Sequence, residues 1–254
     1  MKLRHILASF ATAVFSLPLA AQTVNLTFQD ITPTNPITWN YIPDSLAKNT
    51  FVGPLRFTDT GGASLYTFCI DLAQYVNFGG NYTFQYTAVP NAPITSSIGT
   101  PMGATKADHL SLLYGSVFGS NLSGYTPLTT LNTAAKRQGF QLAVWNIVFD
   151  SVIDWSVTGS AGNFYVSSTD AGSTAAIAQA NAYLGAVQTD VAGGGGTRMA
   201  LIALSDSTAQ PGIQDQLLPL GFLVSVPEPA SYALLAGGFA LAGVLLLRCR
   251  EQAA

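Results

Sequence analysis

The sequence has little of the chemistry on which most enzymes and metalloproteins depend. It contains two cysteines and two histidines, and only Cys69 and His109 lie outside the terminal segments. One cysteine and one histidine are too few for a structural zinc set or a disulfide framework. A cysteine hydrolase would need His109 as its base, but this histidine lies beside Asp108 on a predicted helix and is interpreted as a solvent-facing residue. We therefore expect no metal, no other cofactor and no turnover enzyme.

Charged residues are also scarce, at 9% of the chain. Residues 22–226 hold six Lys and Arg against eleven acids, all of them Asp, so this span carries about five negative charges. Such a balance argues against nucleic acid or an anionic membrane surface as a partner. Asp150, Asp154 and Asp170 lack the close alternating spacing of a calcium loop. No pattern selects a pair of glycosidase carboxylates either.

Long apolar runs occur only at the two ends of the chain. At the N-terminus, Lys2 and Arg4 precede an apolar run over residues 6–17, and small residues follow up to Ala21. This is the layout of a secretory signal peptide, and the run is too short to span a membrane. The sequence therefore predicts a signal peptide at 1–21 and export of the residues that follow.

The C-terminal segment, residues 226–254, combines a proline-rich collar with a second apolar run. Residues 230–247 carry no charge and are long enough for a short membrane helix. The basic tail at 248–254 is expected to stay in the cytoplasm by the positive-inside rule. The collar is Val226, Pro227, Glu228 and Pro229, and the basic residues of the tail are Arg248 and Arg250.

This collar, apolar helix and basic end together resemble the PEP-CTERM sorting signal of exopolysaccharide-producing Gram-negative bacteria. The resemblance implies processing by an exosortase, a membrane protease that removes the tail. The protein would then be anchored transiently in the inner membrane and transferred to the cell surface or extracellular matrix. The signal indicates a destination and leaves the chemistry of the exported domain, residues 22–225, to be read from its own residues.

The exported domain is long enough for one α+β domain with a core of its own. Short β-branched or aromatic stretches bounded by turn residues predict strands, and apolar residues at helical spacing predict helices. Strands near both ends with helices between them predict a β-sandwich or partly open barrel with a helical insertion, in addition to the C-terminal membrane helix. The predicted strands are 23–30, 51–59, 64–71, 81–87, 163–168, 198–205 and 221–226, and the predicted helices are 105–118, 133–150 and 173–187.

Two residues do not fit their predicted surroundings. Alternation along a strand places Cys69 on the mixed face, opposite the face that carries Phe68 and Ile70, although a free cysteine is usually packed among apolar groups. Gln141 shares an apolar stripe with Trp145 on a helix that is apolar nearly all round. An unsatisfied buried amide costs about 1–3 kcal/mol, so Gln141 is expected to have a committed partner, for which a backbone carbonyl would suffice.

These residues also form a pattern. "FCID" at 68–71, followed some seventy residues later by "FQLAVW" at 140–145, resembles the Cys-Gln thioester domains of bacterial surface adhesins, the TQXA type. "IQDQLL" at 213–218 is similar to the closing segment of such domains. Phe140 stands where the family usually has Thr, and Phe68 where Tyr is common. The residues that match the two motifs are Cys69, Ile70, Asp71, Gln141, Ala143 and Trp145.

The resemblance implies a bond between the sulfur of Cys69 and the side-chain carbonyl of Gln141, formed with loss of ammonia. Such a reaction needs proximity and a hydrogen-bond donor for the developing oxyanion, which a backbone N–H near Cys69 or a tyrosine hydroxyl would supply. A target amine would then displace the sulfur and become attached to Gln141. The expected function is covalent attachment of an exported surface or matrix protein to an amine-bearing target.

Blander interpretations stay open beside this one. The chain is alternatively a structural or carbohydrate-binding protein of the exopolysaccharide matrix, in which no thioester forms and Gln141 is a hydrogen-bonded core residue. Trp145 and Trp155 would then be core residues or face a sugar. Cys69 would otherwise pair with a second chain through a disulfide in an oxidising compartment.

Overall fold

The structure is a computed structural model that describes residues 23–43, 45–93, 101–150, 154–159, 162–206 and 212–223. The described part of the chain is α+β, as predicted, and its larger sheet is an antiparallel barrel that closes on itself through six strands. Of the two predicted architectures, the sandwich is wrong and the barrel is confirmed, although the barrel is closed rather than partly open and so has no edge strand. Around the barrel the strands are β1 (Thr23–Ile31), β4 (Leu55–Asp59), β5 (Ser64–Cys69), β9 (Gln216–Pro219), β8 (Leu201–Asp206) and β6 (Asn81–Thr87).

Closure depends on β9, a strand of four residues that was not predicted as a strand. It pairs with β5 on one side and with β8 on the other, so it fills the gap between two predicted strands. Apolar rings occupy the inner face: Phe57 contacts Phe28 at 5.3 Å and Phe84 at 5.8 Å between ring centroids. All three rings are buried, and they form one end of the hydrophobic core.

A second, three-stranded sheet lies beside the barrel. Its strands are β3 (Leu46–Phe51), β2 (Pro36–Tyr41) and β7 (Phe164–Val166), in that order. The predicted strand at 51–59 is interrupted here, since Phe51 ends β3 and Leu55 begins β4. The break falls at Gly53, whose φ of 155° few other residues adopt and whose missing Cβ leaves room for the carbonyl of Thr32.

The β5 and β9 side of the barrel is covered by α1 (Gly103–Phe118) and α3 (Ala134–Phe149), and α4 (Ala171–Gly193) packs against these two helices; α2 (Pro127–Thr130) is a single turn. The side chain of Thr133 caps α3, and that of Asp170 caps α4. Helices α3 and α4 approach closely at Gly139, where a Cβ would lie 2.8 Å from the carbonyl oxygen of Ala176. Helix α3 is buried over its whole C-terminal half, as its all-round apolar sequence predicts.

The predicted terminal segments lie outside the described residues. These are the signal peptide at 1–21 and the C-terminal segment at 226–254, with its membrane helix at 230–247. Among the residues that the structure does describe, none of the helices has both the length and the apolar character needed to cross a bilayer. The predicted strand at 221–226 is wrong where it is described, because Leu220–Leu223 is a turn of 3-10 helix.

Candidate functional site

The site is built on an interruption in the barrel ladder at the end of β5. On one side Cys69 lies opposite Gln216 of β9, and the N–H of Ile70 donates to the carbonyl of Asp215 at 3.0 Å. On the other side β4 begins at Leu55, which lies opposite Thr67. Because backbone groups alternate between the two edges of a strand, the N–H and C=O of Cys69 point towards the β4 side, where no residue of β4 lies opposite them.

The side chain of Gln141 takes the place of the missing strand. The N–H of Cys69 donates to Oε1 of Gln141 at 2.9 Å, and Nε2 of Gln141 donates to the carbonyl oxygen of Cys69 at 2.8 Å. The carboxamide is 1% exposed, so these bonds satisfy groups that water does not reach. The structure therefore brings together the two residues on which the sequence pattern centres, and it gives Gln141 a committed partner in the Cys69 backbone.

Aromatic packing fixes the position of α3 against β5. Phe68, which precedes Cys69, contacts Phe140 at 4.6 Å and Tyr114 at 6.0 Å between ring centroids. Phe140, which precedes Gln141, also contacts Phe118 at 5.3 Å. These rings lie on the outer face of β5, so Cys69 faces the barrel side, as strand alternation predicts. Both faces of β5 are buried at this point, which explains why a cysteine is accommodated on the mixed face.

The thiol of Cys69 is held in a tight turn. It is a free cysteine, 2% exposed, and it donates to the carbonyl oxygen of Asp71 at 2.7 Å. Burial raises the pKa of the Cys69 thiol far above its ordinary value, and the charge of Asp71 raises it further. The N–H of Asp71 and the indole of Trp145 favour the thiolate but offset only part of this pKa shift. The thiol is therefore neutral at physiological pH, and its burial argues against a disulfide with a second chain.

Asp71 supplies a buried carboxyl group next to the thiol. Its Oδ1 accepts from the N–H of Ala73 at 2.8 Å and from the N–H of Gln74 at 3.3 Å. Burial is the main cause that raises the pKa of Asp71, to about 6, and the positive charge of Lys48 opposes this shift. Desolvation lowers the pKa of Lys48, whose ammonium lies 4.4 Å from the ring centroid of Tyr75.

A cavity of about 140 Å³ adjoins the Cys69 and Gln141 pair. It lies where the end of the barrel meets the second sheet and α3, and both Asp71 and Trp145 line it. Three of its lining side chains are large, apolar and exposed, at 42% for Phe51, 52% for Tyr75 and 60% for Phe78. We call these three residues the aromatic rim. Its exposure shows that the cavity opens to solvent.

The other predicted site residues fall in different places. Ala143 is buried in α3 and does not line the cavity. The segment at 213–218 supplies β9, which pairs directly with Cys69, and its Gln216 accepts from the hydroxyl of Thr67 at 2.8 Å. The sorting residues Val226, Pro227, Glu228, Pro229, Arg248 and Arg250 lie outside the described residues.

Sequence reasoning missed the far wall of the cavity. Trp39 lies there on β2, and the aromatic rim lies on β3 and on the loop that follows β5. A period-two signal was present for β2, because Ile37, Trp39 and Tyr41 alternate and are all buried. The aromatic rim had no such signal, since nothing in a sequence identifies which aromatic side chains stay exposed.

The competing sites gain no support. His109 is buried rather than solvent-facing, its ring lies 5.1 Å from that of Trp155, and it does not line the cavity that contains Cys69. The interpretation of His109 as a solvent-facing residue is therefore wrong. Over the described ranges, no three side chains of His, Cys, Asp or Glu form a group suited to a metal ion.

Because comparison with known proteins finds no match, the function is inferred from the geometry of the Cys69 and Gln141 site. No protein-family model matches the sequence, and neither a curated protein nor a solved structure matches it significantly.

Proposed function

We propose that this protein attaches covalently to amine-bearing targets through a thioester between Cys69 and Gln141. The observation that carries the proposal is the pair of hydrogen bonds, at 2.9 and 2.8 Å, that holds the Gln141 carboxamide against the backbone of Cys69. This arrangement restricts a thiol and a poor acyl acceptor to one small volume. Proximity of this kind can supply several kcal/mol of the barrier.

The same contacts supply the electrostatics that acyl transfer requires. Attack of the sulfur on the side-chain carbonyl carbon places negative charge on Oε1, which already accepts from the N–H of Cys69. The thiol proton passes to Nε2, the carbon–nitrogen bond breaks, and ammonia leaves. The high pKa of the Cys69 thiol makes this step slow and makes the sulfur a poor leaving group, which protects the thioester from hydrolysis.

In the transfer to a target amine, one bond to the Gln141 carbonyl carbon likewise forms as another breaks. An amine attacks the Gln141 carbonyl carbon, the carbon–sulfur bond breaks, and one amine proton returns to the sulfur. The product is an amide on Gln141 and a free thiol on Cys69. Asp71 lines the same cavity and is mostly ionised at neutral pH, so it is suited to accept the second proton of an incoming ammonium.

The experiment is mass spectrometry of the purified chain. A thioester lowers the mass by one ammonia, and methylamine restores it as an adduct on the peptide that contains Gln141. Cys69→Ala abolishes both effects. Gln138→Ala is the matched control, because Gln138 is a buried glutamine one turn earlier on α3 that bonds to Asn35 instead, and it leaves the ammonia loss intact. A full mass with one titratable thiol refutes the proposal.

A second candidate is a matrix protein without a thioester, in which Gln141 only completes the interrupted ladder. One observation favours it: both polar atoms of the Gln141 side chain are already satisfied, so its burial has a sufficient cause without a covalent bond. The same mass measurement separates the candidates.

The proposal includes a destination, which follows from the resemblance at the C-terminus. The chain is exported, held in the inner membrane by residues 230–247, and released by an exosortase to the surface or matrix. Cell fractionation with peptide mapping of the mature C-terminus tests this part. Recovery of peptides from residues 248–254 in the surface fraction would contradict removal of the tail.

A further inference from the structure

Four polar residues converge at the C-terminal end of α3, outside the cavity described above. The side-chain nitrogen of Asn146 lies 2.5 Å from Oδ2 of Asp150 and 3.2 Å from Oδ1 of Asp154. It also lies 2.9 Å from the carbonyl oxygen of Ser156. We call these four residues the α3-end cluster. Asp170, the third acid weighed in the sequence for a calcium loop, lies elsewhere and caps α4.

The carboxamide of Asn146 is poorly matched to these neighbours. Asn146 is fully buried, and among the residues that the structure describes its Oδ1 has no hydrogen-bond partner. Its nitrogen carries two hydrogens, so it can serve only two of the three oxygens around it. A buried acceptor without a partner is unfavourable and rare. Rotating the carboxamide by half a turn would place Oδ1 among the three oxygens, and only a positively charged group could then hold them together.

The cluster also lacks a counter-charge. Asp150 is fully buried, and burial together with the charge of Asp154 raises the pKa of Asp150 to about 7. Within the described ranges neither carboxylate takes part in a salt bridge. Lys106 on α1 attracts Asp150, but its ammonium donates to the carbonyl of Val148 at 2.7 Å. Two carboxyl groups held together in this way favour either a shared proton or a bound cation.

The donor atoms select a hard cation. Carboxylate, amide and backbone carbonyl oxygens are the ligands of Ca²⁺, which takes about six to eight of them in flexible geometry, whereas Mg²⁺ demands a near-ideal octahedron. Asp154 and Ser156 are partly exposed, so water can complete the coordination shell. Two of the donors are an amide and a backbone carbonyl, so the cluster differs from a group of three acidic, cysteine or histidine side chains, which the described residues lack.

We propose that the α3-end cluster binds one calcium ion, through the carboxylates of Asp150 and Asp154, the carbonyl oxygen of Ser156 and Oδ1 of Asn146. The ion ties the end of α3 to the segment at 154–156 and gives the buried Oδ1 a partner. With this donor set we expect weak binding, with a Kd of about 10⁻⁴ to 10⁻³ M, as in extracellular calcium modules. A calcium ion here would overturn the sequence-based expectation of no metal. The proposal is independent of the thioester.

Terbium luminescence tests the site on the full-length chain. Tb³⁺ is a hard cation that replaces Ca²⁺ at oxygen sites and emits when a nearby tryptophan is excited. Trp155 follows Asp154 directly, so bound Tb³⁺ should emit, and calcium should displace it at lower concentration than magnesium does. Asp154→Asn should weaken binding by about tenfold or more, because it removes one of two carboxylates. Trp155→Phe should abolish the emission and leave calcium affinity unchanged.

Thermal melting gives a second readout. Calcium at about ten times its Kd should raise the melting temperature of the unmodified chain by roughly 3–6 °C. Asp190→Asn is the matched control, because Asp190 is a partly exposed acid on α4 outside the cluster, and it should keep this shift. Asn146→Asp adds a third carboxylate, so it should lower the melting temperature without calcium and enlarge the calcium-induced shift. A purely structural role for Asn146 would lower both melting temperatures equally.

The outcomes decide the matter in either direction. A calcium-induced shift that Asp154→Asn removes and Asp190→Asn keeps supports the calcium site. Equal melting temperatures with and without calcium in the unmodified chain overturn it and assign a shared proton to the two carboxyl groups. Terbium emission that Asp154→Asn does not weaken overturns it as well. The ammonia loss that tests the thioester is measured separately, so the failure of one proposal leaves the other standing.

Discussion

Replacing Gln141 by leucine should reveal how much of the stability depends on its carboxamide. The comparison is made in a Cys69→Ala background, where no covalent bond can contribute. Gln141→Leu then removes the partners of one buried N–H and one buried C=O at position 69. Each unsatisfied buried group costs about 1–3 kcal/mol. Leucine recovers part of this cost through its apolar surface, so we expect a net loss of about 2–4 kcal/mol.

Gln138→Leu in the same background is the matched control. Gln138 is also buried on α3, but its side chain makes a single hydrogen bond, to the carbonyl of Asn35 at 2.8 Å. Its replacement should cost about 1 kcal/mol. Urea denaturation measures both variants, and thermal melting should show a larger shift for Gln141→Leu, at about 2–4 °C for each kcal/mol in a chain of this size. Equal losses in the two variants would refute the claim that Gln141 replaces a strand.

The isosteric change Gln141→Glu adds a test of direction. A protonated carboxyl can accept from the N–H of Cys69 and donate to its carbonyl, whereas a carboxylate can only accept. Burial and the facing carbonyl raise the pKa of the introduced group in the folded state. Its contribution to stability is therefore present at low pH and is lost as pH rises through that raised pKa. Stability that increases with pH in this variant would contradict the geometry.

Two further changes test the surroundings of the site. The pKa of Asp71 is raised to about 6 in the folded chain, so the free energy of unfolding should decline by roughly 2–3 kcal/mol as pH rises from about 4 to 6. Asp71→Asn should remove that share of the decline. Urea denaturation at several pH values measures both chains. Gly139→Ala should lower the melting temperature by several degrees, because its Cβ would lie 2.8 Å from the carbonyl oxygen of Ala176. Gly185→Ala is the control, since nothing lies within 4 Å of a Cβ at that position. A melting temperature unaffected by Gly139→Ala would show that α3 and α4 can separate without cost.

Local sequence patterns predict the parts of the fold that local physics decides. The all-round apolar helix at 133–150 and the short strands at 23–30 and 81–87 agree with the structure to within a few residues, because periodicity and turn residues specify them. Strand β3 carried no signal, since its residues are half-buried or exposed and its pairing with β2 stabilises it. Barrel closure by β9 is a long-range event that no local pattern encodes.

The candidate site, like the fold, is predictable from the sequence only in part. The residue types Cys69 and Gln141 are conspicuous in the sequence because each conflicts with its local surroundings. Their manner of contact is not readable there, since it depends on β4 beginning only at Leu55, after the break at Gly53. The cavity wall formed by Trp39 depends in turn on the second sheet, whose packing against α3 is set by tertiary contacts.

Asp71 links the geometry to the rate at which an amine would be captured. An incoming amine is protonated in water and must lose a proton before it can attack Gln141. With its pKa near 6, Asp71 can accept that proton above this pH but not below it. The rate of methylamine capture should therefore rise with pH up to about pH 6 and level off above it in the unmodified chain, whereas in Asp71→Asn it should keep rising with the fraction of neutral amine and show no inflection there. Lys48 faces the same carboxylate and should move this inflection to higher pH when changed to Met, because its positive charge lowers the pKa of Asp71. An inflection that persists in Asp71→Asn would assign the proton transfer to another group and leave Asp71 with a structural role in the turn after β5.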